Sequence, residues 1–413
     1  MRELSTQCIL KPAAAYSLGF ACLLFAGTYT VAGDWPQFRG PGGSGVSDDT
    51  GIPTTWSETE NIRWKVDLPG RGLSNPVIAG GRVYVNACTG RDGSRLHVLC
   101  FDVRNGKKLW ERQFWGTGNT GCHPKTNMAA PTPATDGERV YALFATADLA
   151  CLDKDGDLLW YRSLVGDYPS VSNQVGMAAS PVLWKDLVIV PMENVGESFL
   201  VGIDKISGAN RWKTRRGRAI NWTTPLVYVN AGRPEVAFQT TGELTAYDPG
   251  TGTKRWTYMG HLSETASPAF AKGMVLAPGG ETAGLTGGDD KTPPRAAWKT
   301  TKLRSNYATP LYYHDRIYNV SPANVLTCVD PADGKLLWEE RVRGTISAST
   351  VAAEGKIYSL SEEGETTIVR VGDKPEVLAI NKLPGTFLAT PAIADGAIFL
   401  RSDEHLWCIG AKK

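Results

Sequence analysis

Cys122 and His123 stand side by side in FWGTGNTGCHPKTNMAA, residues 114–130. A thiolate and an imidazole are both good zinc ligands, but a zinc site draws three or four of them, and two adjacent ligands without partners make a poor site. DKDGD, residues 153–157, has the carboxylate density of a calcium loop. An EF-hand loop, however, needs its Gly at the sixth position, and this stretch aligns with a recurring Asp–Gly turn from which one residue has been deleted. It reads as a structural turn. The chain has 5 His and carries no G-x-S-x-G, H-E-x-x-H or P-loop motif. No spacing favours a carboxylate pair for glycoside cleavage. No catalytic residue and no metal ligand is therefore assigned.

What remains is a set of polar and aromatic residues that recur in one kind of place, just ahead of a short residue and a Pro. They are Arg71; His123, Lys125 and Asn127; Asn173 and Gln174; Asn221 and Trp222; Glu264; Arg304, Asn306 and Tyr307; and Phe387. Far apart in sequence, these residues form a site only if the elements between them bring their loops to a common centre.

Those elements are repeats. CFDVRNGKKLW, CLDKDGDLLW, GIDKISGANRW, AYDPGTGTKRW and CVDPADGKLLW are five copies of one turn, ending at Trp110, Trp160, Trp212, Trp256 and Trp338. A second marker, a short residue followed by Pro and an apolar strand, falls at Pro76, Pro133, Pro181, Pro225, Pro268, Pro310 and Pro391, with Thr350 in the Pro slot of one copy. The markers lie 40 to 48 residues apart, except for a first interval of 57. Each unit reads strand, tight turn, strand, second connection, strand, Asp-x-x-x-Gly turn, strand. Four short strands at this period predict an all-β chain, an eight-bladed β-propeller. The connections that carry the polar and aromatic residues then converge on one funnel around the channel mouth, where a ligand or a partner would bind. The longest, residues 114–130, is the leading candidate or else a plug over the channel, and residues 167–180 come next.

The turn has a physical logic. Asp102, Asp204, Asp248 and Asp330 can accept hydrogen bonds from the backbone N–H groups just ahead, and the Gly four residues on supplies a positive φ. Trp64, Trp110, Trp160, Trp212, Trp256, Trp298 and Trp338 sit on outer strands, where they are expected to wedge between blades as staples. Trp64 has no first-blade strands before it, and the last copy ends at WCIGAKK before reaching its own Trp. The strand around Trp64 should therefore complete the final blade, so that the termini pair and close the ring. Ala379 replaces the Trp in blade seven, and GGDDKTPPRAAW replaces the short turn in blade five. Cys100, Cys151, Cys328 and Cys408 share one position with Gly202 and Ala246, which marks a small buried slot. Cys88 and Cys122 lie off that slot, free or paired.

The N-terminus reads as an export signal, residues 1–33, followed by an extended segment, 34–60, and the propeller, 61–413. Arg2 and Lys11 precede AAAYSLGFACLLFAGTYTV, and small residues around Ala32 and Gly33 suit cleavage. The exported chain would be periplasmic or secreted; an uncleaved signal would anchor it to the membrane. A lipid anchor would use Cys22, which Phe20 fits poorly. No other segment is long and apolar enough to span a bilayer. A net charge of +2 gives no footprint for nucleic acid, and a monomer is expected.

The pattern [A/C/G]-[F/Y/I/L/V]-D-x-x-x-G-x-x-x-W resembles the tryptophan-docking repeat of the pyrroloquinoline quinone (PQQ) propellers over about residues 61–413. That superfamily holds the quinoprotein alcohol dehydrogenases and the BamB-type outer-membrane assembly factor. DWPQFRGPGGSGVS also resembles the segment before blade one in exported PQQ-repeat proteins. The resemblance implies two functions. A BamB-type chain is a non-catalytic scaffold that docks a protein partner in the cell envelope on its surface loops and carries no cofactor. A dehydrogenase oxidises alcohols or sugars with PQQ and calcium; its family is usually longer and carries two adjacent Cys, which this chain lacks, and its calcium ligands have no counterpart placed here. The scaffold is the expected function, with the PQQ-dependent oxidoreductase as the alternative.

Overall fold

Each repeat folds as an antiparallel meander of four strands, and eight such sheets stand in a ring that closes by contact of blade one with blade eight. The architecture comes from a computed structural model that describes residues 33–118, 121–172 and 176–412. Blade one contains Val77–Ala79, Arg82–Thr89, Arg95–Asp102 and Lys108–Trp115 from the axis outwards. The other blades repeat this order. In blade eight the outer strand is Ile62–Asp67, which pairs antiparallel with His405–Ile409, so the two ends of the chain share one sheet. The signal assigned to residues 1–33 lies outside the described residues, apart from Gly33 at its end.

The Trp and the small slot are two halves of one device. In register, Cys100 faces Trp110, Cys151 faces Trp160, Gly202 faces Trp212, Ala246 faces Trp256, Gly284 faces Trp298, Cys328 faces Trp338 and Cys408 faces Trp64. A directly opposed pair shares one face of the sheet, so a large ring demands a small partner. In blade seven Ala379 faces Ile368: where the ring is gone, the slot is filled from the other strand.

Each ring then docks on the turn of the next blade. Trp64 Nε1 donates to the Val103 carbonyl at 2.9 Å, Trp110 to Lys154 at 2.8 Å, Trp160 to Lys205 at 3.0 Å, Trp212 to Pro249 at 3.0 Å, Trp298 to Pro331 at 2.9 Å and Trp338 to Gly372 at 3.1 Å. Trp256 meets the longer turn of blade five and bonds Glu235 in its own blade instead, at 3.1 Å. Gly106 is needed twice over. Its φ is 71°, and a Cβ there would lie 2.7 Å from the Trp64 ring. The turn Asp acts as the spacing predicts: Asp102 Oδ1 accepts from Arg104 N at 2.9 Å and Asp204 Oδ1 from Ser207 N at 2.9 Å.

Because strands alternate in direction, the first and third turns of each blade share a lower face, while the second turns and the connections between blades share the upper face. The segment before Ile62 runs over the lower face. Trp35 exchanges backbone hydrogen bonds with Ile78 at 2.7 and 2.9 Å, and Ala352 N donates to Gly45 O at 2.8 Å. Arg39, only 1% exposed, donates to the Thr309 and Pro310 carbonyls at 2.7 and 3.0 Å. Burial without a carboxylate partner lowers its guanidinium to about 9. Further on, Trp56 is buried in the cluster that holds Ile368, with Leu378 and Ala379 packed against it, and its backbone N–H donates to Asn381 Oδ1 at 3.0 Å. A Trp from outside the repeat thus enters the region where blade seven has none.

Candidate functional site

The short residue before each Pro forms a closed girdle around the axis. Asn75 N donates to Thr132 Oγ1 at 3.0 Å, Thr132 N to Ser180 Oγ at 3.0 Å, Ser180 N to Thr224 Oγ1 at 3.1 Å and Thr224 N to Ser267 Oγ at 2.9 Å. The series continues with Ser267 N to Thr309 Oγ1 at 3.0 Å, Thr309 N to Ser349 Oγ at 3.0 Å, Ser349 N to Thr390 Oγ1 at 3.1 Å and Thr390 N back to Asn75 Oδ1 at 2.8 Å. Pro has no N–H and a fixed φ, so after seven of the eight links it sets the chain direction without competing for the bond, with Thr350 in its place after Ser349.

Above the girdle, the connection between blades one and two crosses the funnel as a strap. Buried Asp148 holds its start, accepting from Thr117 N at 2.8 Å and Thr117 Oγ1 at 2.5 Å. Asn86 Nδ2 holds its end through the Pro131 carbonyl at 3.1 Å. In the middle, Arg71 donates to the Pro124 carbonyl at 2.8 Å and bonds Asp403 at 3.2 Å. Lys125 reaches to blade seven, bonding Glu362 at 2.5 Å and Ser347 at 3.5 Å, with its Nζ 5.1 Å from the Tyr307 ring centroid. His123 approaches Trp222 with centroids 6.1 Å apart.

Between strap and girdle lies an axial cavity of about 160 Å³. Phe38 of the N-terminal segment reaches it from below, and Leu73, Trp222, Tyr307 and Leu388 supply apolar wall. Seven of the eight girdle residues line it, and no Asp or Glu does. Thr309 is the girdle residue that does not. A second hollow of about 650 Å³ lies beside the strap and takes in Arg71, Cys88, Cys122, His123 and Asn127.

The structure therefore gathers part of the set named from sequence. His123, Lys125, Trp222 and Tyr307 line the cavity. Arg71 braces the strap from outside, and Asn127 turns it, with Oδ1 accepting from Ala129 N at 2.9 Å. Asn221 is 1% exposed and faces away, bonding the Glu193 carboxylate and donating to the Gln239 carbonyl at 2.7 Å. It belongs to a buried network in which Arg216 bonds Glu193 and Tyr247. Burial pushes the Glu193 carboxyl up, against the pull of the Arg216 charge. Glu264 and Asn306 are exposed and enter through their carbonyls, which accept from Trp222 N at 2.8 Å and from Thr265 Oγ1. Arg304 lines a different hollow, beside Thr301 and Glu339. Phe387 is 0% exposed, inside the apolar cluster of blades seven, eight and one rather than in the funnel. Asn173 and Gln174 lie outside the described residues. Phe38, Glu362 and the girdle residues are the members sequence reasoning did not name, although the girdle's signal, a short residue before each Pro, was in view.

The Cys122–His123 pair stays without metal-binding company. Among the described residues, no three His, Cys, Asp or Glu side chains gather as a metal site. Among the described residues the six Cys form no disulfide, and burial raises Cys88 and Cys122 above the ordinary thiol range. The chemistry of PQQ and calcium does not fit this funnel. Calcium takes oxygen ligands, carboxylates foremost, and the cavity wall offers hydroxyl and amide oxygens but no carboxylate. Nor does the chain hold the adjacent Cys pair of the dehydrogenases.

Comparison with known proteins agrees with this fold. A family model described as outer membrane protein assembly factor BamB matches residues 46–196 and 284–374. The crystal structure of BamB from Moraxella catarrhalis superposes with TM-score 0.62 at 16% identity, over 85% of this chain and 99% of that one. Quinohemoprotein alcohol dehydrogenase from Comamonas testosteroni gives 0.67 at 13% identity, over 93% and 82%. A europium-containing methanol dehydrogenase gives 0.65 at 12% identity, over 90% of each chain. At these identities the likeness is one of fold. No curated protein sequence matches.

Proposed function

We propose, from the premise that this chain belongs to the PQQ-like propeller family described as outer membrane protein assembly factor BamB, that it is an exported, non-catalytic scaffold that docks a protein partner in the cell envelope on its upper face. The observation that carries this reading is the closure of the axis. The strap covers the funnel, the N-terminal segment crosses below it, and the cavity between them holds about 160 Å³, against the roughly 300–1,000 Å³ of pockets that take drug-sized ligands. What the upper face offers instead is a rim of exposed apolar side chains. Trp115 is 66% exposed, Met259 69%, Val195 41% and Ile220 38%. Arg215 and Arg218 are exposed beside Ile220. An apolar rim with flanking arginines is the composition of a protein-binding surface. Among the described residues no helix is long and apolar enough to cross a membrane.

The oxidoreductase reading draws on the likeness to the two dehydrogenases and requires carboxylates to hold calcium beside PQQ, which the lining of this cavity does not include. Two experiments separate the readings. Photocrosslinkers at Trp115, Ile220 and Met259, with Lys335 on the lower face as the control, should capture one envelope protein from the upper positions alone. Equal capture from Lys335 refutes upper-face docking. A thermal-shift titration with PQQ, with and without calcium, should show no saturable rise, whereas a calcium-dependent rise would move the protein to the enzyme class. A ligand bound only to the folded state adds about 2.7 kcal/mol at a hundredfold excess over its Kd, so such a rise would be plain.

A further inference from the structure

Each link of the girdle uses a backbone N–H and a side-chain acceptor. The hydrogen of each Ser or Thr hydroxyl is left over, and among the described residues none of the girdle hydroxyls donates to a protein acceptor. Asn75 departs from the series, an amide where the other copies have Ser or Thr. Its Oδ1 keeps the link to Thr390, while its Nδ2 has no partner although the residue is 4% exposed and lines the cavity. A buried amide hydrogen without an acceptor is costly. No carboxylate lines the wall, so the Asn75 amide and the girdle hydroxyls face it as donors; Lys125, already paired with Glu362, and His123, Thr126, Thr265 and Ser347 add polar groups, and Phe38, Leu73, Trp222, Tyr307 and Leu388 supply the apolar part.

We propose that the axial cavity binds a small monocarboxylate with a compact apolar body. A carboxylate accepts about four hydrogen bonds, which suits the Asn75 amide and the neighbouring girdle hydroxyls. Hydrogen bonds to an ionised acceptor are also stronger than those to a neutral one. The apolar body would lie against Phe38, Trp222, Tyr307 and Leu388. Size sets the scale: about 160 Å³ is close to an engineered cavity of about 150 Å³ that takes benzene. Benzoate is therefore the probe.

The test uses the exported chain, with sodium benzoate titrated against sodium chloride at equal ionic strength and against benzyl alcohol, which matches benzoate in shape but carries no charge. Thermal shift and calorimetry should show saturable benzoate binding and at least tenfold weaker binding of benzyl alcohol. Asn75→Thr restores the hydroxyl of the other copies and preserves the link to Thr390, so it should fold normally and bind benzoate at least fivefold more weakly. No saturable benzoate effect beyond that of chloride, or equal binding by wild type and N75T, overturns the proposal and leaves the spare donors to water. The outcome is independent of partner docking, which is read by crosslinks at the rim.

Discussion

If the girdle holds the blades in register, breaking one link should have a calculable effect. Thr309 is the cleanest place. It is 1% exposed, and its Oγ1 accepts from Ser267 N at 3.0 Å. Valine has the same shape, so Thr309→Val opens no cavity. Its backbone contacts, the N–H to Ser349 and the carbonyl to Arg39, do not depend on the side chain. One change remains: the Ser267 N–H is buried with no acceptor, which costs about 1–3 kcal/mol. Urea unfolding of T309V should therefore show a loss of that size in the midpoint with the slope unchanged. Thr301→Val, at an exposed site whose hydroxyl has no partner, should stay within about 0.5 kcal/mol of wild type. Thr132→Val breaks the link across the ring, where Oγ1 accepts from Asn75 N at 3.0 Å. Sites this distant should add to within about 0.5 kcal/mol. If T309V costs no more than T301V, the girdle is a geometric coincidence and the account of the S/T-Pro marker fails.

Three further outcomes follow from the same contacts. Trp56→Ala should destabilise by about 3–5 kcal/mol, as much as Trp110→Ala, although Trp56 lies outside the repeat; calorimetric melting of both variants checks this. The Glu111 carboxyl is partly buried, yet hydrogen bonds from Lys108, His97 and Gln113 hold it down at about 2. Its contribution should be fully present above the ordinary carboxylate range and be lost as pH falls from about 4.5 toward 2, with Glu111→Gln flattening that acid limb in melts run from pH 2 to 7. Alkylation of the native protein should label Cys122, the one exposed thiol among the six described, and reach the other five only in denaturant. Native labelling of Cys100 or Cys328 would contradict the closed slot.

The fold was legible because the propeller writes its rules locally. The turn Asp, the turn Gly and the docking Trp sit within eleven residues of one another, and the Pro marker recurs with little drift. Strand pairing of the termini followed from two incomplete ends. The site was legible only in part, for a physical reason. Position in a connection says that a residue is on the upper face but not which way it points. Lys125 and Tyr307 turn inward, Glu264 and Arg304 turn outward, and Phe387 enters the core. Those choices are set by contacts across the ring, such as Lys125 with Glu362, whose partners lie far apart in sequence. Phe38 and Trp56 were invisible for the same reason: each lies in a non-repeating segment and finds its place only after the ring has closed.

The distribution of closures also argues for which face is used. The lower face carries the tight turns and the chain's own first segment, whose backbone N–H and C=O groups are already paired to inner-strand residues such as Ile78 and Ala352. Trp35 and Arg39, both almost fully buried, belong to that segment. The upper face is held differently. Its long connections are braced by side chains, Asp148 under Thr117, Asn86 under Pro131 and Arg71 under Pro124, which leaves their outer surfaces free. Among the described residues, the two most exposed large apolar side chains, Met259 in blade four and Trp115 in blade one, stand at the upper ends of outer strands, while Ile206 and Val229 are exposed on the lower side. On the scaffold reading proposed above, a ring that crosses one face with its own chain and braces loops on the other would present the second to a partner larger than the cavity at its centre can hold.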